Sequence, residues 1–65
     1  MQVLINQRPQ ELPEAATLAD AIAAQRPAPP FAAAVNRQFV PRPAYAQCRL
    51  QPGDEIEIIA PVTGG

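Results

Sequence analysis

The sequence predicts an α+β domain in which a mixed sheet of four to five strands packs on one helix, in the order β-β-α-β-β-β. Three observations lead there. Short apolar alternations lie at both ends of the chain, Val3 and Ile5 near the start and Ile56 and Ile58 near the finish. A single stretch of helical spacing follows Thr17 and stops at Pro27. The 65-residue length leaves room for one small core, and one helix over one sheet face is the economical way to build it.

The elements follow in order. Gln2–Asn6 reads as a strand, with Val3 and Ile5 pointing one way and Gln2, Leu4 and Asn6 the other. Asn6-Gln7-Arg8-Pro9 has turn character, and Gln10-Glu11-Leu12 is a short return strand ended by Pro13. Thr17 is placed to cap a helix, with Asp20 three residues on as the capping-box acid. Leu18, Ala21 and Ile22 make its buried stripe. Pro27 has no N–H and disfavours helical geometry at Arg26, so the helix ends there.

Ala28-Pro29-Pro30 is a stiff connector. Phe31–Val35 and Phe39–Val40 are strands around Asn36-Arg37-Gln38, where a wide turn is expected because positive φ at Arg37 costs about 1–2 kcal/mol. Tyr45 to Leu50 reads as irregular or as one short helical turn. Pro52-Gly53-Asp54 is a strong turn into the last strand, Glu55–Ala60, where Ile56 and Ile58 alternate with Glu55 and Glu57. In this order the first and last strands lie side by side and parallel in the middle of the sheet. Residues 1–60 then form one domain and residues 61–65 a flexible C-terminal tail.

Composition excludes several kinds of function. The chain has no His and no Lys, so the usual proton shuttle near neutral pH and the Schiff-base amine are both missing. Its lone Cys48 cannot form an internal disulfide or a thiolate metal site, and no metal is expected. Its five arginines are dispersed, which argues against a nucleic-acid partner. No signal peptide or membrane span is visible, so no membrane role is expected and the cytoplasm is the expected compartment. Charge is uneven. Residues 1 to 49 sum to +2, whereas Asp54, Glu55 and Glu57 give residues 50 to 65 a charge of −3.

The chain closes on Pro61-Val62-Thr63-Gly64-Gly65. At an average Gly usage of about 7%, a closing Gly-Gly is roughly a 1-in-200 coincidence. Residues without Cβ can lie flat in a narrow channel and bring a terminal carboxylate close to another protein's groups. Thr63 and Gly64 are therefore expected to thread such a channel, with Gly65 as the reactive end. A carboxylate acylates nothing until it is activated, and adenylation by a partner that holds ATP and magnesium is the expected route. The mixed anhydride so formed is open to attack by a sulfur nucleophile or an amine. The chain itself has neither a Gly-rich phosphate loop nor a Lys with which to hold ATP.

The run from Ala34 to Arg42 (Ala-Val-Asn-Arg-Gln-Phe-Val-Pro-Arg), then Tyr45, then Leu50-Gln51-Pro52-Gly53-Asp54-Glu55-Ile56-Glu57-Ile58-Ile59, and finally Gly64-Gly65 resembles the sulfur carrier proteins of thiamine biosynthesis, the ThiS family. The resemblance spans essentially the whole chain and implies a ubiquitin-like β-grasp fold. It implies that Gly65 is adenylated by an E1-like adenylyltransferase of the ThiF type and becomes a thiocarboxylate. Its sulfur, drawn from a sulfur-donating enzyme, then passes to thiazole synthase of the ThiG type. The chain would be a protein cosubstrate and not an enzyme. Family members often carry Gly after Asn in both hairpins, where Gln7 and Arg37 stand here. Pro61-Val62-Thr63 before Gly-Gly is also similar to the small subunit of molybdopterin synthase, so that carrier and other ubiquitin-like carriers or modifiers stay open as alternatives.

Leu4 and Ile59 fall on the polar side of their strands, and Phe39 with Ala34 is expected to join them in a docking patch on the sheet face away from the helix. Glu55 and Glu57 are expected to steer partners there. Cys48 reads as a small buried hydrophobe, and the sulfur is expected on Gly65.

Overall fold

The computed structural model describes residues 1–60. Five strands and one helix follow the expected order: β1 (Gln2–Ile5), β2 (Arg8–Glu11), α1 (Leu18–Gln25), β3 (Ala32–Val35), β4 (Gln38–Val40) and β5 (Glu55–Ile59), with a 3-10 helix at Arg42–Gln47 before β5. The sheet order is β2-β1-β5-β3-β4. β1 and β5 are neighbours and parallel, as the sequence predicts, and every other pairing is antiparallel.

The helix starts where its cap places it. The Asp20 N–H donates to Thr17 Oγ1 at 3.3 Å and the Thr17 N–H donates to Asp20 Oδ2 at 2.9 Å, which completes the capping box. Such a cap contributes about 1 kcal/mol. At the other end Arg26 takes a left-handed conformation (φ 50°) and its N–H donates to the Ile22 carbonyl before Pro27 interrupts the chain. Leu18, Ala21 and Ile22 face Val3, Ile5, Ala33 and Ile56 across the core. Leu12, Ala16 and Leu50 are buried as well, although no periodic pattern singles them out. The segment around Arg49 is bridged to Thr17, with the Leu18 N–H on Cys48 O and the Leu50 N–H on Ala16 O, and this folds both connectors over the sheet.

Both hairpins are tighter than the sequence suggests. Asn6-Gln7 and Asn36-Arg37 are two-residue turns with positive φ at both positions (51° and 69°, 50° and 68°). The expected wide turn at Asn36-Arg37-Gln38 is therefore replaced by one that matches the twist of the flanking strands. The same economy puts Arg8 and Pro9 in β2 and not in the turn. Pro9 pairs with Leu4 one step beyond the hydrogen-bonded pair Ile5 and Arg8, so its missing N–H faces outward from an edge strand. The stretch from Tyr45 to Leu50, expected to be irregular or one short helical turn, begins in a 3-10 helix that starts earlier, at Arg42 behind Pro41, and ends at Gln47. At 51–54 the expected turn is present: the Asp54 N–H donates to Gln51 O, with Pro52 second and Gly53 third at φ 85°.

Because Gln7 and Arg37 bear the strain of a left-handed backbone, Gly at either site is expected to raise stability. Relief of about 1–2 kcal/mol is partly offset by the greater chain entropy of Gly, for a net gain of about 0.5–1 kcal/mol each. Urea unfolding of Arg37→Gly and Gln7→Gly measures this, and an unchanged midpoint would contradict it.

Candidate functional site

β5 is the last described strand before residues 61–65, and its neighbours hold it on both flanks. On one side the Leu4 N–H donates to Asp54 O and the Asn6 N–H to Ile56 O. β1 ends there, yet the ladder continues through a side chain. Asn6 Oδ1 accepts from the Ile58 N–H at 2.9 Å, and Asn6 Nδ2 donates to Ile58 O at 3.4 Å. On the other side the Asn36 N–H donates to Glu55 O, Asn36 Oδ1 accepts from the Glu55 N–H at 3.0 Å, and Asn36 Nδ2 donates to Asp54 Oδ1 at 3.1 Å. Asp54 Oδ2 also accepts from the Gln51 N–H. Two asparagines, one in each turn, thus clamp β5 from both flanks, and pairing with β3 continues to Ile59 opposite Ala32. The sequence marks Asn36 as a turn residue and Asn6 as the end of a strand running into a turn, and neither as a partner of β5. The available signal was their placement: each is the first residue of a tight turn beside the central strand, where positive φ is tolerated and a short amide reaches the next backbone.

The face of the sheet away from α1 carries Leu4, Glu55, Glu57, Ile59, Ala32, Ala34 and Phe39. Phe39 is 70% exposed and Ile59 57% exposed; Glu55 and Glu57 are exposed and Leu4 is half-buried. Register decides which of these meet. Ala34 stands between Glu57 and Phe39, and Ala32 lies beside Ile59, so the small alanines leave a shallow apolar floor between two large exposed side chains. Leu4 pairs with Glu55, not with Ile59, which is four residues farther along β5 and about 13 Å away at strand rise. The expected neighbourhood of Leu4 and Ile59 is therefore absent, because β1 stops before β5 reaches Ile59. Leu4 instead lines a cleft of about 170 Å³ with Gln7, Arg37, Glu55, Ile56 and Glu57.

Cys48 is half-buried and packs against the core. Among the described residues, no group of three or more His, Cys, Asp or Glu is placed to hold a metal ion. None of the described helices is long and apolar enough to cross a membrane. Thr63, Gly64 and Gly65 lie outside the described residues.

The ThiS family model matches residues 3–65, nearly the whole chain and through Gly65. The chain belongs to the ThiS family. Among solved structures it is similar to the thiamine biosynthesis protein ThiS from Geobacter metallireducens, seen in a crystal structure (TM-score 0.82, 20% identity, all of both chains covered). It is likewise similar to a solution structure of a thiamine biosynthesis protein from the same organism (TM-score 0.81, 20% identity, all of this chain and 88% of the other). Comparison with curated proteins gives no match. At that identity the structures speak for the fold, a ubiquitin-like β-grasp, while the family model places the chain among the small sulfur carriers of thiamine biosynthesis, which are not themselves catalysts.

Proposed function

We propose that this ThiS-family chain acts as a protein cosubstrate in the cytoplasm, with the carboxylate of Gly65 at its C terminus as the reacting group. A carboxylate oxygen attacks the α-phosphorus of ATP on an E1-like adenylyltransferase of the ThiF type, and pyrophosphate leaves with its magnesium. Hydrosulfide (HS−) supplied by a sulfur-donating enzyme then attacks the acyl carbon, AMP leaves, and loss of the sulfur's proton gives a thiocarboxylate. That sulfur is delivered to thiazole synthase of the ThiG type. ATP and magnesium belong to the partner. The observation that carries this reading is the family match running through Gly64-Gly65. The clamped central strand supports it, since a strand bonded to Ile58 on one flank and to Ile59 on the other gives the following residues a fixed point of departure.

Intact-mass measurement tests the reading. After incubation with ATP, magnesium, a ThiF-type enzyme and a sulfur donor, one oxygen should be replaced by sulfur at Gly65. An unchanged mass, under conditions that load a control carrier, would overturn it. Cys48→Ser should load as fully as the parent, because the sulfur sits on the terminus; complete loss would move the chemistry to the thiol.

In this reading Phe39, Ile59 and Leu4 are the apolar contacts for the activating enzyme and the acceptor, with Glu55 and Glu57 steering encounter with a basic partner surface. Ile59→Asp puts a charge where the partner requires an apolar contact. It should weaken docking at least tenfold, about 1.4 kcal/mol, without unfolding a domain in which this side chain is 57% exposed. Titration calorimetry against the adenylyltransferase measures it, and unchanged affinity in a folded variant would remove Ile59 from the interface.

A further inference from the structure

The two edges of the sheet are not equivalent. β2 is blunted as a pairing edge, since Pro9 presents a ring where an outward N–H would stand, and Arg8 and Glu11 are charged. β4 (Gln38-Phe39-Val40) contains neither proline nor charge. In the two-residue hairpin, Val35 and Gln38 form the hydrogen-bonded pair beside the turn, so Ala34 and Phe39 form the next, non-bonded pair. The N–H and C=O of Phe39 therefore point away from β3, and its ring is 70% exposed.

Beside this edge, on the helix side of the sheet, lies a groove of about 510 Å³ whose walls include Val35, Gln38, Val40, Cys48 and Arg49. Asp54 also lines it, but its two oxygens accept from Asn36 Nδ2 and the Gln51 N–H. The exposed charges around the groove are basic: Arg49 in its wall and Arg42 just past the end of β4. Neither makes an ion pair among the described residues.

We infer that the β4 edge is a second docking surface, which borders the open face at Phe39 but engages the outward backbone of β4, and which takes an extended acidic segment of a partner protein as an added strand. The segment exchanges a pair of hydrogen bonds with Phe39, places alternate side chains in the groove, and sets its acids against Arg42 and Arg49. A second copy of this chain does not suit the site. Antiparallel self-pairing about Phe39 would bring Arg37 of one copy beside Pro41 and Arg42 of the other, joining like charges. The inference does not depend on the chemistry proposed for Gly65.

The probe is a terminally blocked peptide of alternating valine and threonine with two aspartates at each end, titrated into the isotope-labelled full chain. Amide shifts centred on Phe39, Val40 and Arg49 are expected, together with slowed hydrogen exchange of the Phe39 N–H. The same peptide with lysines for aspartates should give none. Phe39→Pro removes the outward N–H and should lose the shifts, with the Val3 and Ile56 amides reporting an intact core. Arg49→Ser keeps that N–H and should weaken binding, which decides the matter if the proline variant does not fold. The inference is overturned by any of four results: no shifts along β4, equal binding of the lysine peptide, shifts centred on Leu4 and Glu57, or shifts at Phe39 that grow with protein concentration alone.

Discussion

Replacing Gly64 by valine, or adding one residue after Gly65, is expected to abolish sulfur loading and leave the thermal unfolding of the domain unchanged. The two variants fail for different physical reasons. A branched side chain at Gly64 widens the segment beside the reacting carbonyl and narrows its accessible φ and ψ, so the terminus no longer lies flat in a slender channel. An added residue leaves the channel passable but moves the carboxylate one residue, about 3.3–3.6 Å, past the α-phosphorus. Attack needs the reacting atoms about 3–3.5 Å apart, so a displacement of that size removes the reaction and does not merely slow it. Both changes lie in sequence beyond Ile59, where β5 makes its last pairing, and beyond every core residue of the described part. Mass spectrometry of the loading reaction, with calorimetric melting on the same samples, measures both halves. Full loading of the extended chain would show that the carboxylate of residue 65 is not the acceptor.

These expectations rest on what was legible in the chain. Helix and strand order could be read because each element carries its own local signal: Thr17 and Asp20 mark a start, Pro27 a stop, and Ile56 with Ile58 a half-buried strand. The parallel pairing of β1 with β5 followed from topology, because one helix connects two hairpin-like halves over a common core. The turn at Asn36-Arg37 is narrower than local propensity predicts, because propensity disfavours Arg at positive φ. The hydrogen bonds that Asn36 makes to Asp54 and Glu55, which offset that cost, connect residues 18 and 19 positions apart. Such long-range compensation leaves no local trace. The same holds for Leu50 and Ala16, which are buried because two connectors pair across the helix start and not because of any periodicity. Within the site, alternation placed Leu4, Glu55, Glu57 and Ile59 on one face, but only register separates Leu4 from Ile59.

Leu18→Ala is expected to cost about 3 kcal/mol and leave the domain largely unfolded near physiological temperature. Leu18 is the first residue of α1, is fully buried, and is among the largest side chains in the core. Its N–H donates to Cys48 O at 2.8 Å, so its backbone is held in place whatever its side chain becomes. The helix start, fixed by the Thr17–Asp20 cap and by that bond, cannot slide inward to fill the space. Large-to-small changes cost most where the site cannot collapse, at about 2–5 kcal/mol for Leu→Ala. A 65-residue chain has a total stability of only about 3–10 kcal/mol, so the loss is a large share of the whole. Loading should fall with it, as a consequence of unfolding and not of altered chemistry. The two are told apart by temperature: cooling the variant toward its stability maximum should restore loading as structure returns, whereas Gly64→Val should stay inactive at every temperature at which it is folded. Urea unfolding followed by far-UV circular dichroism gives the energy directly. A loss below about 1 kcal/mol would mean that the core around α1 relaxes around the gap, and that the clamp on β5, not the helix packing, dominates the stability of this fold.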